Sequence, residues 1–380
     1  MSINLHTLLF LHCTYGYLIT NIFAAKIPGL ALLFVAIRDS WVFLFFFLIF
    51  RHRLKENIIL GVFLIILLLI GLAPFIEGNI HFSDFLIYFY GIRDLSFIAL
   101  IYFYLRNDQI KINQSLIYSF VYAVFILYLT EVFSQIFGFS QVYQDVFGLD
   151  SYYASKGVET NLSGGLYGVR PGLPLYSPAL VATLLGGFIL SDKVFKGRWI
   201  LYLASVATLS KVLVYFLLLR IFKRFYIGLF VAGILMIPIV IGISNHVKNT
   251  YPNTIYSYHA HSISEHLSPL RYVQDGDWSI LPDALGSSSI LAFVIAGEDS
   301  SDAPESLLMS RLLDFNLLAF ILLLLLFLSA LRLKGEARFI FISFLGLQFL
   351  TSLSNHPLTF LPLVLFFNDR SRSGLVIFQR

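Results

Sequence analysis

Charge is the scarcest property of this sequence. Only 13% of its 380 residues are Asp, Glu, Lys or Arg, about half the share in a soluble domain. There is one cysteine, Cys13, which excludes a disulfide framework and any cysteine-based metal cluster. A formal net charge of +4 gives a nucleic-acid partner no electrostatic footprint. The first residues, Leu5–Ile22, lack a basic leader region and a small-residue cleavage site. They are therefore expected to form a retained helix and not a signal peptide. What is abundant is apolar: 58% of the chain is hydrophobic, with 39 Phe and 21 Tyr, more apolar surface than a water-soluble fold of this length can bury.

The apolar residues come in long runs: Asn57–Phe75, Phe85–Leu105, Leu116–Phe137, Tyr226–Ile243 and Leu312–Leu331. A helix of roughly 20 residues spans a bilayer core of about 30 Å, and the runs lack the alternation of an outer-membrane barrel. The expected fold class is all-α: a polytopic integral membrane protein of about 12 (10–13) transmembrane helices. Spans are expected near 4–24, 28–50, 57–76, 83–105, 113–138, 177–191, 198–209, 211–222, 225–244, 306–330, 339–354 and 357–367. The Phe and Tyr side chains then serve as lipid-facing filler and interfacial anchors.

Basic residues set the orientation. Alternate short connections and the C-terminal tail hold Arg51, Arg53, Lys55, Arg106, Lys111, Lys193, Lys196, Arg198, Arg220, Lys223, Arg224, Arg332, Lys334, Arg338, Arg370, Arg372 and Arg380. The positive-inside rule makes these segments, and both termini, cytoplasmic. Few basic residues remain on the outside: Lys26, Lys156, Arg170, Lys211, Lys248 and Arg271. The chain divides into N-terminal transmembrane helices (1–138), a first outer loop (139–176), central helices (177–244), a large outer loop (245–305), and C-terminal helices with a cytoplasmic tail (306–380). Loops of this length are usually functional. Their Trp, Tyr and apolar stretches, such as Ile290–Ala296, suit segments folded back over the bundle.

Some polar residues stand where they are costly. Ala36-Ile37-Arg38-Asp39 and Gly91-Ile92-Arg93-Asp94 each place an Arg-Asp pair about ten residues into an expected inward-running helix. A mid-bilayer charge costs at least about 2.5–3.5 kcal/mol. Either each Arg pairs with a neighbouring Asp, or Arg93 lines a cavity for an anionic group. An internal repeat of two helices, as in a transporter, is a further reading. The apolar pieces 198–209 and 211–222 are separated only by Ser210-Lys211. Twelve helical residues rise about 18 Å, too short to span, so two abutting helices are expected with a junction in the outer half of the bilayer. Lys211 is then either sheltered there or snorkels to the interface.

Four motifs follow in order: Gly168-Val169-Arg170-Pro171-Gly172-Leu173 with Pro178; Leu209-Ser210-Lys211; Ser268-Pro269-Leu270-Arg271-Tyr272; and Pro304-Glu305-Ser306-Leu307-Leu308. Their order, spacing and sidedness resemble the bacterial O-antigen polymerases, the Wzy-type family of the O-antigen polymerase/ligase superfamily. One departure is Ser210-Lys211, where the family has serine-arginine; the charge is kept but the bidentate fork is lost. A second lies around Phe315-Asn316, where the family often has a glycine.

The resemblance implies a fold like that of lipid-carrier-dependent (GT-C-like) glycosyltransferases, in the bacterial inner membrane. The implied activity is polymerisation of undecaprenyl-pyrophosphate-linked oligosaccharide repeat units into O-antigen or a related surface polysaccharide, without nucleotide sugar. Membrane lipid and a chain-length regulator protein are the implied partners. No cofactor and no metal is expected.

The chemistry asks for neutralisation of a diphosphate leaving group and activation of an acceptor hydroxyl. Arg170, Arg271 and Lys211 are candidates for the first, because a guanidinium fork matches phosphate oxygens; pairing with Asp275 or Asp277 is the structural reading of Arg271. Glu305, His266, His261 and His259 are candidates for the base, while Glu305 at a helix start is also a favourable N-terminal charge. Arg93, Gly172, Ser210, His259 and His261 are candidate substrate-binding residues. His259-Ala260-His261 with His266 has the look of a metal tract, but no HExxH or carboxylate companion accompanies it. An O-antigen ligase is the near alternative, although its histidine is expected late in the large loop. A lipid-linked oligosaccharide flippase would call for comparable halves and short outer loops.

Overall fold

The computed structural model describes residues 4–51, 82–107, 112–137, 178–208, 210–251, 318–350 and 357–368. Among them there is no strand, and almost every residue is helical. The helices are α1 (Leu5–Leu11), α2 (Tyr17–Lys26), α3 (Ala31–Asp39), α4 (Trp41–Arg51), α5 (Phe82–Arg106), α6 (Gln114–Ile136) and α7 (Pro178–Gly186). They continue with α8 (Arg198–Ser205), α9 (Lys211–Ile221), α10 (Tyr226–Thr250), α11 (Leu318–Arg332), α12 (Gly335–Leu350) and α13 (Pro357–Asn368).

The chain forms two compact units. One comprises Met1–Leu48, Leu100–Ile221 and His356–Arg380; the other Ile49–Ala99 and Phe222–Asn355. In the first, the α6 stripe Ile117, Val121, Val124, Tyr128 and Glu131 is buried, spaced four and three residues apart as one helix face requires. α7 packs against α6, α8, α9 and α13. Pro178 and Pro357 each open a helix, the position where a missing N–H is harmless and the fixed φ is already helical. In the second unit α12 packs against α10 and α11. Phe97 meets Phe344 edge-to-face at 5.2 Å, and Tyr226 meets Phe339 at 5.3 Å.

Several expected spans are interrupted. The first contains a π-helical turn, His12–Gly16, between α1 and α2. The Thr14 hydroxyl donates to the Phe10 carbonyl at 2.6 Å, and Thr20 donates to the Gly16 carbonyl at 2.8 Å; such side-chain bonds take up carbonyls that an irregular ladder leaves over. The expected helix 28–50 is two helices with a break at Ser40. Its amide closes a tight turn on the Ile37 carbonyl at 3.3 Å, and its hydroxyl bonds the same oxygen at 2.7 Å. Arg38-Asp39 thus ends a helix, whereas Arg93-Asp94 lies inside the continuous α5. The two similar tetrapeptides have different backbones, and a two-helix repeat does not extend to this level. α10 continues to Thr250, beyond the expected limit at residue 244: backbone hydrogen bonding persists after the apolar run that marked the boundary has ended. α12 starts at Gly335 and not at 339, with Glu336 in its first turn, where an acidic side chain complements the helix dipole.

Candidate functional site

Of the residues singled out by sequence, Arg170, Gly172, His259, His261, His266, Arg271 and Glu305 lie outside the described residues. Arg93, Ser210 and Lys211 lie within them. Arg93 belongs to the second unit, and Ser210 and Lys211 to the first.

Ser210 and Lys211 stand at the bend of a helical hairpin. α8 ends at Ser205, a 3-10 turn covers Val206–Thr208, and α9 starts at Lys211. Reversal of the chain is fixed by the Tyr202 hydroxyl, which donates to the Leu213 carbonyl at 2.9 Å. A straight helix would hold those residues about 16 Å apart. The other ends of both helices return to one short segment: Arg198 donates to the Ser191 carbonyl at 2.9 Å, and Arg220 to the Asp192 carboxylate at 2.7 Å. The basic residues therefore gather at the base of the hairpin, and Lys211 stands at its tip, about 16 Å away along the eleven residues of α9.

A stack of rings seats the base. Phe195 lies on Phe188 at 4.1 Å and on Tyr118 at 4.4 Å, with Phe366 edge-on at 5.1 Å; each such pair adds about 0.5–1.5 kcal/mol to area burial. The Lys193 ammonium donates to the Phe367 carbonyl at the end of α13, complementing the negative end of that helix. Gly197 adopts φ 72°, and a Cβ there would meet the Tyr122 hydroxyl at 2.6 Å, so only glycine starts α8 this way. Gly186 is limited by space alone: a Cβ would lie 2.6 Å from Leu213 Cδ2, so its absence lets α9 approach α7 closely.

At the tip, Ser205, Thr208 and Ser210 are buried and Lys211 is exposed. Ser205 donates to the Tyr202 carbonyl at 2.7 Å and Thr208 to the Ser205 carbonyl at 2.6 Å. The Ser210 hydroxyl accepts a long bond from the Val212 amide at 3.4 Å, the position of an N-cap serine. These hydroxyls satisfy the carbonyls and amides freed where two helices meet, leaving Lys211 on the first turn of α9.

Arg93 is 1% exposed. Its Nη2 donates to Asp94 Oδ1 at 3.2 Å and its Nε at 3.4 Å. Arg38 holds Asp39 more tightly, from Nε at 2.8 Å and Nη2 at 3.0 Å, and its guanidinium lies 5.0 Å from the centre of the Tyr17 ring. Each arginine thus contacts the carboxylate next to it in sequence. Removing one partner of such a buried pair typically costs about 3–5 kcal/mol.

Two features escaped the sequence reading. Near the π-helical turn, His12 Nε2 lies 3.2 Å from the Ser40 hydroxyl, so both irregular helices meet at one hydrogen bond. On α6, Glu131 is 2% exposed. Its position in the stripe Ile117, Val121, Val124, Tyr128 was the available signal: an acidic residue on an otherwise inward-facing apolar edge. No protein-family model, no curated protein and no solved structure matches this chain.

Proposed function

We infer that the chain is an inner-membrane glycosyltransferase that polymerises undecaprenyl-pyrophosphate-linked repeat units on the outer face of the membrane. The embedding is supported by composition and by α6, in which Gln114–Phe133 is long and apolar enough to cross a bilayer, with shorter apolar helices at Ala179–Leu190 and Thr359–Asn368. The remaining spans of the twelve-helix plan rest on the sequence.

The observation that carries the reading is the hairpin α8–α9. Its base holds Lys193, Lys196, Arg198 and Arg220, the kind of cluster that stays cytoplasmic. Its helices are too short to leave the opposite side, so it enters and returns, lifting Lys211 into the outer half of the bilayer. Non-helical backbone at that depth is tolerated where it is covered by protein or lines a cavity. A cation held there suits an anionic lipid head group, and a water-poor setting strengthens its attraction for a diphosphate.

In this reading Arg170 and Arg271 join Lys211 on the diphosphate. An acceptor hydroxyl attacks the anomeric carbon of the donor glycan, the carbon–oxygen bond to the diphosphate breaks, and undecaprenyl diphosphate leaves with the electron pair. Glu305, His266, His261 and His259 are the candidate proton acceptors in the large loop. Arg93, Gly172 and Ser210 complete the candidate binding set, with Arg93 the least favoured because Asp94 already occupies its guanidinium. Ligation of finished polymer to a lipid-A core uses the same groups; the early placement of the loop histidines, within residues 246–266, favours polymerisation.

The deciding experiment is a deletion strain analysed by lipopolysaccharide or capsule gel. Loss of the polymerase leaves core bearing one repeat unit. Undecaprenyl-linked polymer would instead identify a ligase, and absence of both products a flippase.

A further inference from the structure

The base of the hairpin combines fixed positive charge with exposed apolar surface. Residues 191–197, which lead into α8, are pinned by the ring stack around the buried Phe195. The Tyr122 hydroxyl donates to the Lys196 carbonyl at 2.8 Å, and the Lys196 amide reaches the Tyr118 hydroxyl at 3.5 Å. From this fixed backbone the Lys196 side chain is exposed. Arg198 is positioned by the same segment: its Nη1 donates to the Ser191 carbonyl at 2.9 Å and to the Lys193 carbonyl at 3.3 Å. Nε and Nη2 take no part in these bonds, and the residue is half-buried. Lys193 is directed elsewhere, onto the Phe367 carbonyl. The carboxylate of this stretch, Asp192, is held by Arg220 at 2.7 Å. Lys193, Lys196, Arg198 and Arg220 therefore leave the base with a clear excess of positive charge.

Beside these charges lie side chains that a water-facing surface avoids. Val194, between two lysines, is 70% exposed, and Trp199, next to Arg198, is 49% exposed. Ile200, Leu203 and Val206 are exposed as well. Their spacing of three residues puts them on one side of α8, as a stripe that leaves the base toward the tip. An indole among cations is the composition of a membrane interface. The order is more particular: two cations, then an indole, then an apolar stripe along one helix. A phospholipid has the same order from phosphate to glycerol to acyl chain.

We propose that the hairpin base is a binding site for an anionic phospholipid of the inner leaflet. The phosphate lies on the Arg198 fork, whose geometry matches two phosphate oxygens, and on the Lys196 ammonium. Trp199 packs at the level of the glycerol, and one acyl chain follows Ile200, Leu203 and Val206. The excess of positive charge selects an anionic head group over a zwitterionic one, whose own cation would meet Lys196. Because residues 191–197 and Arg198 are already fixed, little ordering is needed when the lipid arrives. The bound lipid then ties the entry segment to the exposed side of α8 and steadies the hairpin that carries Lys211. The proposal needs the membrane embedding and the cytoplasmic base, and is independent of glycosyl transfer.

The test uses the full chain purified in detergent micelles, with phosphatidylglycerol and phosphatidylcholine titrated separately and bound lipid counted by native mass spectrometry. Wild type is expected to hold phosphatidylglycerol at least about tenfold more tightly than phosphatidylcholine. Lys196→Gln lowers the phosphatidylglycerol affinity about fivefold without disturbing the fold, because the side chain is exposed. Arg198→Lys lowers it further, keeping the charge but losing the fork. Leu203→Gln weakens both lipids alike. Lys334→Gln removes an exposed lysine of the second unit that is also expected on the cytoplasmic side, and leaves the affinity unchanged. Equal affinity of wild type for the two lipids overturns the proposal. So does full phosphatidylglycerol affinity in the folded double variant Lys196→Gln, Arg198→Lys. An equal loss in Lys334→Gln also overturns it, by reducing the effect to general surface charge. An active alkaline-phosphatase fusion at Lys196 overturns the inner-leaflet placement through the orientation on which it rests.

Discussion

Replacing Gly186 by alanine tests how the hairpin is seated. The new Cβ would lie 2.6 Å from Leu213 Cδ2 and 3.6 Å from both Phe216 and Tyr202. The first distance is about 1 Å shorter than a favourable carbon–carbon contact, so Leu213 must move. It is buried, and its carbonyl accepts the Tyr202 hydroxyl that closes the hairpin. Overpacking of this kind costs about 1–3 kcal/mol. Because Leu213 is only two residues from Lys211, the shift is passed to the tip, where a displacement near 1 Å can lower a rate about a hundredfold. Gly186→Ala should therefore reduce polymer length on gels and lower the thermal midpoint of the purified protein. Leu213→Ala in the same chain removes the obstructing methyl groups and should restore part of both, a non-additivity that a double-mutant cycle measures directly. Wild-type stability and polymer in Gly186→Ala, or strictly additive losses in the double variant, would refute the close approach of α7 to α9.

Further outcomes follow from the same frame. Alkaline-phosphatase fusions at Gln274 should be active and fusions at Lys196 inactive, since basic residues near helix ends resist translocation; the reverse removes the hairpin from its orientation. Arg170→Ala and Arg271→Ala should each abolish polymer at normal protein level, a rate loss of about a hundredfold or more. The Arg→Lys variants should recover only part, because an ammonium keeps the charge without the fork; full-length polymer from either alanine variant would leave the diphosphate to Lys211. Purified protein should keep most of its rate in excess EDTA, since the basic side chains supply the charge a metal would bring. A loss restored by Mg²⁺ would place the large-loop carboxylates on a metal.

The helical class and the approximate position of most described helices were legible in the sequence, because an apolar run and its flanking charges are local properties. Gln114–Ile136 and Phe82–Arg106 fall almost where the apolar runs put them. The bend at Ser210-Lys211 was also legible, since twelve residues cannot span. Interruptions were not: the π-helical turn at His12–Gly16 and the break at Ser40 occur within apolar stretches, where side-chain hydroxyls take over backbone hydrogen bonds without disturbing hydropathy.

Partnership needed the tertiary structure. Arg38 and Arg93 could be read as paired or as lining a cavity, and the contacts with Asp39 and Asp94 appear only in the tertiary structure. The sequence offers two short helices around Lys211, but the Tyr202–Leu213 and Arg220–Asp192 bonds make them a returning hairpin. Glu131 is one acidic residue in an apolar helix until Tyr128 and Ala204 set the register of α6 against α8. Hydropathy depends on each residue's own transfer from water and so survives in one dimension. Register, pairing and burial depend on which distant residues share a surface, and that arises only when the helices pack.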